Sequence, residues 1–129
     1  VKRNRKRLAA LDIGTNSIRC IVVEVASGDK FRVLDDEKAT VRLGRNLVDG
    51  GDIAPEAWER AMENLLRMKK IVDGYGVDAV EAVATSAVRR AANGAEFIRA
   101  VEERTGIRAV IIPGEEEARL VALSGLHNF

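Results

Sequence analysis

The chain has 129 residues, 47% hydrophobic, 32% charged and only 4% aromatic, which allows one domain of ordinary size with a core of Val, Ile, Leu and Ala. Its net charge of +1 hides an asymmetry: Lys2, Arg3, Arg5, Lys6 and Arg7 carry five bases and no acid, leaving sixteen bases against twenty acids in the rest. One cysteine, Cys20, excludes an intrachain disulfide, and no run approaches the roughly 18 apolar residues of a membrane span. A soluble, cytoplasmic domain is expected. Residues 1–7 read as a disordered basic arm, able to touch nucleic acid or phosphate polymers or simply to solubilise.

In chain order, Leu8 to Ile13 and Ile18 to Ala26 are short runs rich in apolar and β-branched residues, which predicts strands buried on both faces. Thr15-Asn16-Ser17 between them suits a hairpin turn. Ser27-Gly28-Asp29 marks a second turn, and Phe31 to Leu43 carries a third strand or a broken pair. The period then changes. From Pro55 to Tyr75, apolar residues at Trp58, Ala61, Met62, Leu65, Leu66, Met68 and Val72 have helical spacing, with Pro55 in the first turn and Gly74 or Gly76 at the exit. Ala79 to Ala84 predicts a parallel strand. Asn93-Gly94-Ala95-Glu96 has capping-box spacing before a helix with Phe97, Ile98 and Val101 on one face. Ile107 to Ile112 predicts another strand, and a last helix is expected from near Glu115. The order β-β-β-α-β-α-β-α implies an α/β domain: a mixed five-stranded sheet, an antiparallel meander followed by βα units, with helices on the sheet faces.

Three segments can carry chemistry. In Asp12-Ile13-Gly14-Thr15-Asn16-Ser17 a carboxylate ends a buried strand just before a glycine turn. Gly14 lets the backbone approach an anion, and the amides and side chains of Thr15, Asn16 and Ser17 can donate to phosphate oxygens. Asp12 repels phosphate unless a divalent cation bridges them or it orients water. The same spacing also serves a plain polar hairpin in which Asp12 bonds the turn amides. In Ala84-Thr85-Ser86-Ala87-Val88-Arg89-Arg90, Thr85 and Ser86 can cap a short helix, and Arg89 offers a fork of donors suited to phosphate; Arg90 faces another way and reads as a surface ion pair. Glu115-Glu116-Glu117 follows Pro113-Gly114; complementing a helix dipole accounts for Glu115 and Glu116, and at most one or two of the three acids can face a common site. His127 is the only histidine, so no zinc set or histidine triad is expected.

Asp12-Ile13-Gly14-Thr15-Asn16-Ser17 resembles the first phosphate loop of the actin-like ATPase superfold, and its Asn-Ser ending resembles the exopolyphosphatase/guanosine pentaphosphatase (Ppx/GppA) family. Val41-Arg42-Leu43-Gly44, Ala84 to Ala91 and Gly114-Glu115-Glu116-Glu117-Ala118-Arg119-Leu120 match that family in the same order, so the likeness runs from about Leu8 to Gly125. It implies a ribonuclease H-like lobe over residues 8–129 and hydrolysis of a terminal phosphoanhydride in inorganic polyphosphate or guanosine pentaphosphate. It also implies Mg²⁺ held with help from Asp12 and Glu117. Gly14, Thr15, Asn16, Ser17 and Arg89 would contact phosphate. Glu117, aligned with the family's Glu-Ala-Arg element, would position or deprotonate the attacking water, Glu116 being the neighbour one position off. The family's second phosphate loop, Asp-x-Gly-Gly-Gly-Ser-Thr, does not occur in the 129 residues, so the chain is expected to be one lobe of a longer, homodimeric enzyme and inactive alone. No membrane and no specific nucleic acid are expected as partners. A phosphotransferase or ATPase of the same superfold, and a phosphate-binding lobe without turnover, are the alternatives.

Overall fold

The computed structural model describes residues 5–26 and 30–113. Strands β1 (Lys6–Ile13), β2 (Ser17–Val25) and β3 (Phe31–Thr40) are followed by helix α1 (Pro55–Tyr75) and strand β4 (Ala79–Ala84). Then come a one-turn helix α2 (Ser86–Arg90), helix α3 (Gly94–Thr105) and a two-residue strand β5 (Val110–Ile111). The strands form one sheet in the order β3-β2-β1-β4-β5. The meander pairs antiparallel, whereas β4 lies parallel to β1, and β5 parallel to β4. That is the expected mixed α/β sheet.

Alternation along the strands separates two apolar layers. Ala9, Leu11, Ile13, Ile18, Cys20 and Val22 join the main core with α1 and α3, while Leu8, Val23 and Val25 form a smaller cluster on the other side. Helix α1 turns Ala57, Ala61, Met62, Leu65, Met68 and Val72 inward at spacings of three and four. Met62, Leu65 and Met68 are wholly buried, each contributing about 1.5–3 kcal/mol by the usual transfer scale. Pro55 opens this helix, and Gly76 closes it in the left-handed region with its N–H on the Asp73 carbonyl at 3.1 Å. Trp58 and Phe97 join α1 to α3 edge to face, ring centres 5.2 Å apart.

Of the two readings of Phe31 to Leu43, the third strand holds: β3 runs unbroken to Thr40, and a bulge between Val22 and Val23 leaves Leu34 without an opposite residue. Three expectations change. Asn93 does not cap α3; its Oδ1 accepts the Ile53 N–H at 2.9 Å instead. Neither Thr85 nor Ser86 caps α2. The arm is shorter than drawn, since Lys6 and Arg7 begin β1 and the guanidiniums of Arg5 and Arg7 pair with Glu24 at 3.4 and 3.2 Å. The expected last helix, with Glu115, Glu116, Glu117 and Arg119, lies outside the described residues, as does His127. Among the described residues no helix is long and apolar enough to cross a membrane.

Candidate functional site

Strands β1 and β4 run parallel and end side by side, Asp12 level with Val83 and Ile13 with Ala84. The Thr85 N–H donates to the Ile13 carbonyl at 3.1 Å, and the Ile112 N–H to the Ala84 carbonyl at 2.9 Å. The β1–β2 hairpin, the start of α2 and the end of β5 therefore meet at one edge, outside the carboxyl ends of parallel strands, where α/β sheets receive ligands.

The hairpin is held from behind. Gly14 donates to the Ser17 carbonyl at 2.9 Å, and a Cβ on Gly14 would come within 3.0 Å of the same oxygen. The loop between β3 and α1 takes up the tip's carbonyls: Val41 and Arg42 donate to Asn16 at 3.0 and 2.9 Å, and Gly44 to Thr15 at 3.1 Å. A Cβ at Gly44 would collide with Cγ2 of Thr15. With the carbonyls engaged, the amides of Thr15 and Asn16 donate to none of the described residues, and Asn16 is exposed. Uncommitted amides on a fixed glycine turn can serve as donors to an anion.

Asp12 is partly buried on the sheet face away from α1 and α3. Directly across the ladder stands Arg19. Its guanidinium forks onto Asp36, Nε to Oδ1 at 3.0 Å and Nη2 to Oδ2 at 2.7 Å. The Asp36 hydrogen bond raises the pKa of Arg19 against the opposing effect of burial, with the charges of Asp36 and Asp12 adding to it. Arg19 is a cation beside the hairpin that motif reading missed. An arginine inside an apolar strand reads as a solvent-facing position, and only the pairing register sets it against Asp12.

Arg89 is exposed, and its Nη1 reaches the Ile112 carbonyl at 3.4 Å, which brings it to the same edge at the end of β5. Arg90 bonds Ser86 and Asp49, the surface pairing expected of it. Thr85, expected as a cap, is fully buried, and its Oγ1 has no hydrogen-bond partner among the described residues. Gly14, Thr15, Asn16, Ser17, Asp12 and Arg89 thus gather along one edge. Glu117 falls outside the described residues.

Two other features do not compete with this edge. The described residues contain no group of three His, Cys, Asp or Glu able to hold a metal by themselves. Asp12 is a single carboxylate beside the hydroxyl-bearing residues Thr15 and Ser17, a set of oxygen donors that would suit a magnesium ion keeping most of its water. A cavity of about 190 Å³ lined by Arg5, Glu24, Lys30 and Arg32 lies at the far end of the meander. There the Glu24 carboxylate already engages Arg5, Arg7 and Arg32.

Comparison with known proteins agrees with this architecture. Exopolyphosphatase 1 of Mycobacterium leprae is 31% identical over 118 residues, 92% of this chain and 35% of the relative, so the chain spans about a third of that protein's length. A crystal structure of the Aquifex aeolicus Ppx/GppA family member superposes with a TM-score of 0.85 at 30% identity, covering 95% of this chain and 40% of that one. An exopolyphosphatase from Cytophaga hutchinsonii superposes with a TM-score of 0.81 at 32% identity, covering 89% and 36%. The family description Ppx/GppA phosphatase matches residues 21–129, and with the hairpin, sheet order and strand-end edge in place, the chain belongs to the Ppx/GppA phosphatase family.

Proposed function

We propose that the protein to which this lobe belongs hydrolyses terminal phosphoanhydride bonds, with inorganic polyphosphate as substrate and guanosine pentaphosphate as the alternative from the same family. The observation that carries the reading is the hairpin: its carbonyls are engaged by the β3–α1 loop, the amides of Thr15 and Asn16 donate to none of the described residues, and a carboxylate stands at its base.

Thr15, Asn16 and Ser17 cradle the oxygens of the phosphoryl group through amides and side chains, with Gly14 permitting the close approach. Arg89 forks onto the same group from the β5 side. Asp12 would hold a divalent cation, which when bound would supply positive charge to shield the anionic chain. Glu117, by its alignment with the family's Glu-Ala-Arg element, orients water for in-line attack. Catalysis then rests on positioning and electrostatics rather than on a covalent intermediate. Residues 1–129 supply one wall of this cleft, and the isolated lobe is expected to bind phosphate chains without turning them over.

The test is phosphate release from long-chain polyphosphate by the full-length protein with Mg²⁺. Glu117→Gln is expected to abolish release while leaving the unfolding transition intact, and near-normal turnover in that variant would remove Glu117 from the mechanism. Transfer of phosphate to an acceptor other than water would instead establish a phosphotransferase.

A further inference from the structure

One element that the family likeness singles out has no role in the site so far: Val41-Arg42-Leu43-Gly44. Its backbone braces the hairpin, but bracing needs only the N–H groups of Val41, Arg42 and Gly44. The guanidinium of Arg60 holds the Val41 carbonyl from the other side at 3.0 and 3.3 Å. Nothing in this arrangement uses the Arg42 side chain.

The conformation makes that side chain conspicuous. Arg42 has φ 54° and Asn46 φ 60°, the two non-glycine residues in the left-handed region among those described, and both lie in this one loop. The two N–H bonds to Asn16 force Arg42 into a region that glycine occupies without strain. Residues held there against their preference cluster at functional sites. Arg42 and Arg45 are both exposed, and among the described residues neither guanidinium has a hydrogen bond or ion pair, whereas those of Arg19, Arg67 and Arg104 each find a carboxylate. Position completes the case. The Arg42 N–H sits 2.9 Å from the carbonyl of Asn16 at the hairpin tip, and the Arg45 N–H closes a turn onto the Arg42 carbonyl at 3.1 Å.

We propose that Arg42, with Arg45 beside it, is a substrate-binding residue that grips phosphate groups of the chain next to the one cradled by the hairpin. This rests on the proposed function. A strained arginine with an uncommitted fork, fixed to the back of an anion-binding turn, suits the non-bridging oxygens of a linear phosphate polymer, which a guanidinium engages two at a time. The strain is retained because glycine, which would relieve it, has no fork.

The discriminating variant is Arg42→Gly in the full-length protein, assayed with long-chain polyphosphate. Its unfolding midpoint is expected to hold or rise, because the left-handed backbone is then unstrained. KM and the directly measured Kd for polyphosphate are expected to rise about tenfold, the scale of one lost charge-assisted contact, with kcat changed much less. The slope of log Kd against log salt should become shallower by roughly one, as for a lost phosphate contact in a nucleic-acid complex. Arg42→Lys should keep the salt slope and recover only part of the affinity. A lowered midpoint in Arg42→Gly would show a structural side chain and overturn the proposal. Unchanged Kd, KM and salt slope in Arg42→Gly, with an active wild type, would overturn it too and leave the proposed function standing. A wild type that neither binds nor hydrolyses polyphosphate would overturn both.

Discussion

Thr85 shows how much one atom can matter at the edge where the hairpin meets α2. Its hydroxyl is fully buried and has no partner among the described residues; leaving such a group unsatisfied costs about 1–3 kcal/mol. Thr85→Val keeps the shape and removes the unmet oxygen, so chemical denaturation is expected to show a gain of about 1 kcal/mol. If phosphate release falls as stability rises, the hydroxyl belongs to the site. Gly44 and Thr15 give a sharper case, because a Cβ at 44 meets Cγ2 of Thr15 and nothing else so closely. Gly44→Ala alone is expected to cost about 1–3 kcal/mol by overpacking. Thr15→Ser deletes the colliding methyl group, so the double variant is expected to recover most of the loss. A double-mutant cycle measures this directly, and additivity of the two changes would mean that the hairpin and the β3–α1 loop are not locked together as described.

Between elements, the bond from Ile53 N–H to Asn93 Oδ1 ties the approach to α1 to the start of α3. Asn93→Ala leaves the N–H of buried Ile53 without that acceptor, and a loss of about 1–2 kcal/mol in unfolding free energy is expected. Asn93→Asp, which keeps an acceptor in place, is expected to retain most of it. This bond also shows where sequence reading stops. Helix α1 and strand β4 follow from local signals, a 3.6-residue period opened by Pro55 and closed by Gly76, then a short, mainly apolar run carrying Val80 and Val83. Asn93 before Glu96 looks equally local, yet its partner lies forty positions away. The same applies at the N-terminus: Lys6 and Arg7 look like a tail until Glu24, brought alongside by the hairpin, pairs with Arg7. In the site, Asp12 to Ser17 is legible because a carboxylate, a glycine and three small donors are contiguous. Arg19 and the burial of Thr85 are not, because each depends on strand register rather than on neighbours in sequence.

For the whole molecule, the titrating groups set a pH window for stability. Glu24 and Asp36 have their pKa values lowered from 4.5 and 3.8, chiefly by hydrogen bonds from Arg7 and Arg19. A lowered folded pKa means stability that is present above the unfolded value and lost as pH falls through the folded one, so these surface pairs weaken in acid, below about pH 4.5. On the alkaline side two groups act in the opposite sense. Burial pushes the Cys20 thiol from 9.0 up to about 11, with Asp35, Glu37 and Asp36 adding to the effect. Tyr75 is raised from 10.0, first by its hydrogen bond to Asp35. For each, the protonated form is favoured in the folded chain, so its contribution is complete below the unfolded pKa and is lost as pH rises through the folded one. The unfolding midpoint is therefore expected to be flat from about pH 5 to 9 and to fall from 9 to 11. Cys20→Ala should flatten the early part of that fall, and Tyr75→Phe the part above pH 10. A fall as steep in both variants as in the wild type would mean that neither group governs the alkaline limit. The thiol gives an independent reading, since a protonated, buried sulfur reacts only through unfolding. Its modification by an alkylating reagent at pH 8 is expected to rise with reagent at low concentration, scaled by the small opened population, and to level off at the opening rate once alkylation outpaces reclosing.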